Sequence, residues 1–251
     1  MKIKKTLFLL ALSCAMAGLG RWAFPSEDLL AINILLEPDE VMSRWAKLHN
    51  DLLREDYPAG FALEDGSHAA HITVLQGYIR ERDLGKIIDA VKSVSAELSI
   101  SRLRLSAGEM YFSAPGAESL GMAGVGTTKP PELVRFQKAV VDAVRPFLAG
   151  QASSGAFVPN DDGSQISHGM TASVQNFIRK NTGEHYSPHV TLGFCRERFC
   201  RPLVKRSKPS FNFGIRGVGI YQMGESGTAR KKLWSSENLD SEKGRPSQAD
   251  P

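Results

Sequence analysis

The sequence lacks the fingerprints of most nucleotide- and metal-handling folds. It has no G-x-G-x-x-G turn, no P-loop and no zinc-finger spacing of cysteine and histidine. His185 and His189 do stand at H-x-x-x-H spacing, but with His71 and Asp161 or Asp162 they form no facial-triad pattern, and a metal centre and a bound cofactor are not expected. Long apolar runs are missing too. The one from Thr6 to Met16 is shorter than the about 20 residues that a membrane-spanning helix needs. Charge of one sign is not in large excess. The formal net charge of +4 falls to +1 without Lys2, Lys4 and Lys5, which argues against a non-specific nucleic-acid coat.

Those three lysines belong to the first feature that is present. A basic start, the Thr6–Met16 apolar stretch and the small-x-small triplet Ala15-Met16-Ala17 form the three parts of an export signal over residues 1–17. The expectation is a secreted or periplasmic protein with no membrane span in its mature form. Lipidation at Cys14 is the minority alternative, because Leu12 sits one place too late for that pattern. Of the three cysteines, Cys195 and Cys200 remain after cleavage, and an exported chain favours a disulfide between them. The polar end from Ser235 to Pro251 reads as a disordered tail. A single domain over residues 18–234 is expected between leader and tail.

Within that span short strands alternate with helices. Strands are expected over Asp28–Leu36, His71–Ile79, Arg102–Leu105, Glu109–Ser113, His189–Cys195, Phe211–Met223 and Ala229–Trp234. Helices are expected from Pro38 to Arg54, with Val41, Trp45, Leu48, Leu52 and Leu53 at helical spacing, from Leu84 to Leu98, and from Pro131 to Leu148. The uneven links point to an α+β fold with largely antiparallel sheets. Gly150 to Gly169 reads as a long loop.

Two segments carry the chemistry. One reads HAAHITVLQGY from His68 and the other HYSPHVTLGF from His185. Side chains alternate along a strand, so His71 and Thr73 share a face while Ile72 and Val74 turn to a core. His189 and Thr191, backed by Val190 and Leu192, repeat the arrangement. Two such strands side by side line a cleft with two imidazoles and two hydroxyls. In-line displacement at phosphorus needs a proton taken from the entering oxygen and one given to the leaving oxygen. Imidazoles suit both roles near neutral pH, and hydroxyls can donate to the non-bridging oxygens.

The HITV and HVTL motifs, and NTGEHYSPHVTLG around the second, resemble those of the two-histidine (2H) phosphoesterase superfamily, which includes RNA 2′,3′-cyclic phosphodiesterases and the proteins called 2′-5′ RNA ligases. The resemblance runs from about Leu29 to Trp234. It implies two pseudo-symmetric lobes of antiparallel sheet with outer helices around a central cleft. It also implies metal-free phosphate binding by His71, Thr73, His189 and Thr191. A phosphodiesterase acting on 2′,3′-cyclic phosphates or related nucleotide or RNA-end diesters is then expected, as a monomer that forms no stable nucleic-acid complex. The alternatives are a nucleotide-binding protein with little turnover and, less favoured, an RNA ligase. Tyr78, Arg179, Lys180 and Tyr186 are candidate substrate contacts. Arg196, Arg198, Arg201, Lys205, Arg206 and Lys208 form a basic cluster that either steers a polyanion or lines a solvated loop. His68 and His185 are read as solvent or loop residues, and Gly150–Glu184 as an added segment between the motifs.

Overall fold

The structure is a computed structural model that describes residues 28–114, 119–150 and 152–236. The expected export signal, Cys14 and the residues beyond Ser236 lie outside the described residues. Among the described residues no helix is long and apolar enough to cross a membrane.

The fold is α+β, with seven strands paired antiparallel throughout. They are β1 (Leu29–Pro38), β2 (Ile72–Arg80), β3 (Arg104–Ser113), β4 (Leu120–Thr127), β5 (His189–Arg196), β6 (Asn212–Met223) and β7 (Ala229–Ser235). The helices are α1 (Glu40–Asp56), α2 (Leu84–Glu97), α3 (Pro131–Val144), α4 (His168–Gln175), α5 (Phe177–Asn181) and α6 (Glu197–Arg206). Strand order is β1-β2-β5-β4-β3-β6-β7, and β1 also pairs with β6, so six strands close on themselves. The long β6 makes this closure. Its first residues pair with β3, and the rest lies between β1 and β7. One lobe is β2-β1-β6-β7 and the other β5-β4-β3. At the centre they meet through a single pair, Ile72 with Val190.

The helices repeat the pseudo-symmetry. Helix α1 precedes motif strand β2 but packs on β5, and α3 precedes β5 but packs on β2. The main core lies beneath both strands, where Ile72, Val74, Val190 and Leu192 are fully buried. Each such side chain contributes about 1.5–3 kcal/mol.

Several boundaries differ from expectation. In α1 the buried face carries Met42, Ala46, Asn50 and Leu53, while Val41 and Leu48 stay exposed. Asn50 sets this rotation: its amide donates to the carbonyls of Leu192 and Phe61 and accepts from the Leu63 N–H. Gly193 permits that approach, since a Cβ there would sit 2.9 Å from the Asn50 amide nitrogen, and its φ of +146° disfavours other residues. Helix α3 stops at Val144 rather than Leu148, because Pro146 lacks an N–H and the chain tightens into a 3₁₀ turn. The two short strands expected around Gly108 are one strand with an irregular register there. The segment after β5 is a helix, α6, not a loop. Strand β7 runs through Ser235, which is buried and donates to Glu37, so the ordered chain extends past the expected tail boundary.

Candidate active site

The Ile72–Val190 pair fixes the site. Both side chains enter the core, so the residues flanking them turn to the opposite face. Antiparallel pairing sets His71 opposite Thr191 and Thr73 opposite His189. The two histidines become diagonal neighbours, about 7–8 Å apart. His71 and Thr191 line one cavity. The four motif residues are therefore brought together.

Both imidazoles are held in the same way. His71 Nδ1 lies 2.8 Å from the Ala69 carbonyl, and His189 Nδ1 lies 2.8 Å from the Ser187 carbonyl. A carbonyl only accepts, so each Nδ1 carries the hydrogen and each Nε2 is the working nitrogen. The surroundings then separate the two. Burial is the main cause that holds His71 down to about 4; the nearby His189 adds to it and the Ala69 hydrogen bond opposes it. His71 is therefore neutral at pH 7. The edge of the Tyr111 ring meets the His189 ring, with centroids 5.8 Å apart and planes at 83°. Burial pushes the Tyr111 hydroxyl up to about 12. Gly124, beside Thr191 in the sheet, leaves room for that ring, since a Cβ there would meet the Tyr111 hydroxyl at 2.4 Å.

Asn33 went unnoticed in the sequence. It is fully buried on β1, and its Nδ2 donates to His71 Nε2 and to Thr73 Oγ1, both at 3.2 Å. Its Oδ1 has no hydrogen-bond partner. The signal was a lone amide inside the apolar run LLAINILL. In a strand buried on both faces such a group is costly unless something polar needs it.

The other candidates fare differently. Tyr78 is 2% exposed, packs edge-on against Phe157 and donates to the Thr171 carbonyl, so it is a core residue and not a stacking platform. Burial raises its hydroxyl to about 12. Tyr186 is 4% exposed and donates to the Thr73 carbonyl, so it braces the motif strand and offers no ring to substrate. Arg179 and Lys180 lie on α5, with Arg179 bonded to Asn176, and neither lines the cavity that holds His71. Cys195 and Cys200 are joined by a disulfide that ties the end of β5 to α6. Arg196, at the far end of β5 from His189, is seven strand steps or roughly 23 Å away. It pairs with Asp56, and Arg201 pairs with Glu197, so the basic cluster is not part of this cavity.

Between the lobes an outer cleft adjoins the cavity, sharing Phe61, His68, Ser226 and Thr228 with it. Asn160, Asp161, Asp162 and Ser164, from the segment between the motifs, form one of its walls. No three histidine, cysteine or acidic residues cluster as metal ligands among the described residues.

No protein-family model and no curated protein matches the chain. Among solved structures it is similar to TT0787 of Thermus thermophilus, at 10% identity and a TM-score of 0.47, over 82% of this chain and 96% of that one. It is also similar to Escherichia coli LigT complexed with 3′-AMP, at 12% identity and a TM-score of 0.38, over 83% and 96% of the two chains. A third likeness is to Kluyveromyces marxianus Usb1, at 11% identity and a TM-score of 0.35, covering 83% of this chain and 99% of that chain.

Proposed function

We propose that the protein is an exported phosphodiesterase of the two-histidine type that hydrolyses 2′,3′-cyclic phosphates or related nucleotide diesters without a metal. The observation that carries this is the Ile72–Val190 pairing, which turns two imidazoles and two hydroxyls onto one face. His71, neutral at its Nε2, is the general base, and His189 the general acid. Water loses a proton to His71 Nε2 as its oxygen bonds to phosphorus. The bond from phosphorus to a ribose oxygen breaks, and that oxygen takes the proton of His189 Nε2. The Thr73 and Thr191 hydroxyls donate to the non-bridging oxygens, where charge grows in the transition state.

Asn33 holds the resting base: its Nδ2 donates to the single lone pair of His71 Nε2 and to Thr73 Oγ1, and the first of these hydrogen bonds gives way as Nε2 takes the proton of water.

The test is a panel of 2′,3′-cyclic, 3′-5′ and 2′-5′ diesters, assayed with and without EDTA. Hydrolysis of the cyclic phosphate at a rate that EDTA leaves unchanged is expected. No turnover of any diester alongside tight nucleotide binding would instead establish a binding protein, and loss of activity with chelator would end the metal-free mechanism.

A further inference from the structure

Residue 68 lies three positions before the first motif histidine and plays no part in the steps above. Its side chain is nonetheless built into the cavity wall. His68 is 9% exposed, and its ring stacks on Phe61 with centroids 5.5 Å apart and planes at 21°. Nδ1 lies 2.9 Å from Asp65 Oδ2, and a carboxylate there fixes the hydrogen on Nδ1. The His68 and Ser67 hydrogen bonds outweigh burial, which acts the other way, and hold the Asp65 carboxyl below its ordinary value. His68 Nε2 has no hydrogen-bond partner among the described residues.

The place of this ring matters as much as its support. His68 borders the cavity of His71 and Thr191, the outer cleft, and a third hollow of about 260 Å³. That hollow is lined by three cations, Arg216, Arg230 and Lys232. One carboxylate also lines it, Glu64, but this group is engaged with the Ala70 N–H at 2.8 Å. Arg230 is bridged to Asp161, and Lys232 lies 3.3 Å from the buried Glu37. Arg230 and Lys232 are thus each held against a carboxylate, and with Arg216 they line the space next to His68.

We propose that His68, oriented by Asp65, anchors a second anion subsite beside the reacting phosphate, with Arg216, Arg230 and Lys232 on its far wall. Resting on the phosphodiesterase reading, this names the substrate class: a nucleotide or oligonucleotide diester that carries a further phosphate next to the scissile one. With Nδ1–H given to Asp65, the imidazolium form of His68 has its Nε2–H left for that phosphate.

Calorimetric titration of the full chain with adenosine 3′-phosphate and adenosine 3′,5′-bisphosphate tests it without requiring turnover. The bisphosphate is expected to bind at least about tenfold tighter, the scale of one charge-assisted hydrogen bond. His68→Gln should bring the two affinities within about threefold of each other, and Lys232→Gln, on the opposite wall, should narrow the ratio in the same sense. His71→Ala should weaken both ligands and keep the ratio. Equal affinities in the wild type, or a ratio that survives His68→Gln, overturns the subsite. If the wild type hydrolyses a plain cyclic phosphate yet shows equal affinities, only the subsite fails. If it neither binds these ligands nor hydrolyses any diester, the phosphodiesterase reading fails with it.

Discussion

At the scale of single residues, the two motif histidines share an H-x-T pattern and differ in environment. Each gives its Nδ1 hydrogen to a carbonyl two positions back, which local geometry makes available to any H-x-T strand of this kind. Burial then sets His71 apart, and burial is a property of the packed molecule. The pH dependence follows with its sign. A base must be unprotonated, so activity is lost as pH falls through the lowered value of His71. The acid limb of kcat/KM in the free enzyme is expected near pH 4, well below the ordinary histidine value of 6.5. Asn33→Asp puts a carboxylate beside the ring, favours the imidazolium and should move that limb upward; an acid limb at 6.5 in the wild type would refute the assignment of His71 as base. The paired motifs themselves were legible because H-x-T on a strand already dictates which side chains share a face. Asn33 and His68 were not, because their partners come from other segments. Tyr78 and Tyr186 misled for the same reason: an aromatic residue looks alike in a core and on a cleft until the packing is known.

At the scale of elements, periodicity located the three long helices and most strands, and missed what depends on contacts. The stretch after β5 reads either as a basic cluster that steers a polyanion or as a solvated loop. It forms α6, with Glu197 in the first turn, Lys205 and Arg206 in the last, and the Cys195–Cys200 bridge at its start. These charges complement the helix dipole, and the bridge holds the buried Cys200 beneath the helix. The start of α1 was readable from Pro38-Asp39-Glu40, but not the full task of its cap. Asp39 Oδ1 accepts from the N–H groups of Val41 and Met42, while Oδ2 accepts from the Gly214 N–H at 2.6 Å. One carboxylate therefore caps the helix and pins it to β6. Asp39→Ala should lower the unfolding free energy in urea by about 1–2 kcal/mol, the upper part of the range for an N-cap. A change below a few tenths would show that the cap is idle.

At the scale of the whole molecule, the sequence repeat becomes a structural one. Each lobe contributes a motif strand, and each motif strand is covered by the helix that precedes the other, so neither lobe can bury its own core alone. The α+β class and antiparallel pairing follow from the strand and helix patterns. Closure of six strands by β6 does not, because no local signal marks where a long strand changes partners. That closure brings the lobes edge to edge at Ile72 and Val190, and so places one imidazole from each half of the chain on the same face. The site belongs to the interface of the lobes and not to either one.

If the two imidazoles act on one phosphorus atom, their contributions are not independent. The direct measurement is kcat/KM on a 2′,3′-cyclic nucleotide for His71→Ala, His189→Ala and the double variant. Each single change should cost at least about 100-fold, and the double variant should be little slower than the worse single, as for groups that work as a unit. Full activity in either single variant, or losses that simply multiply in the double, would contradict a shared reaction centre.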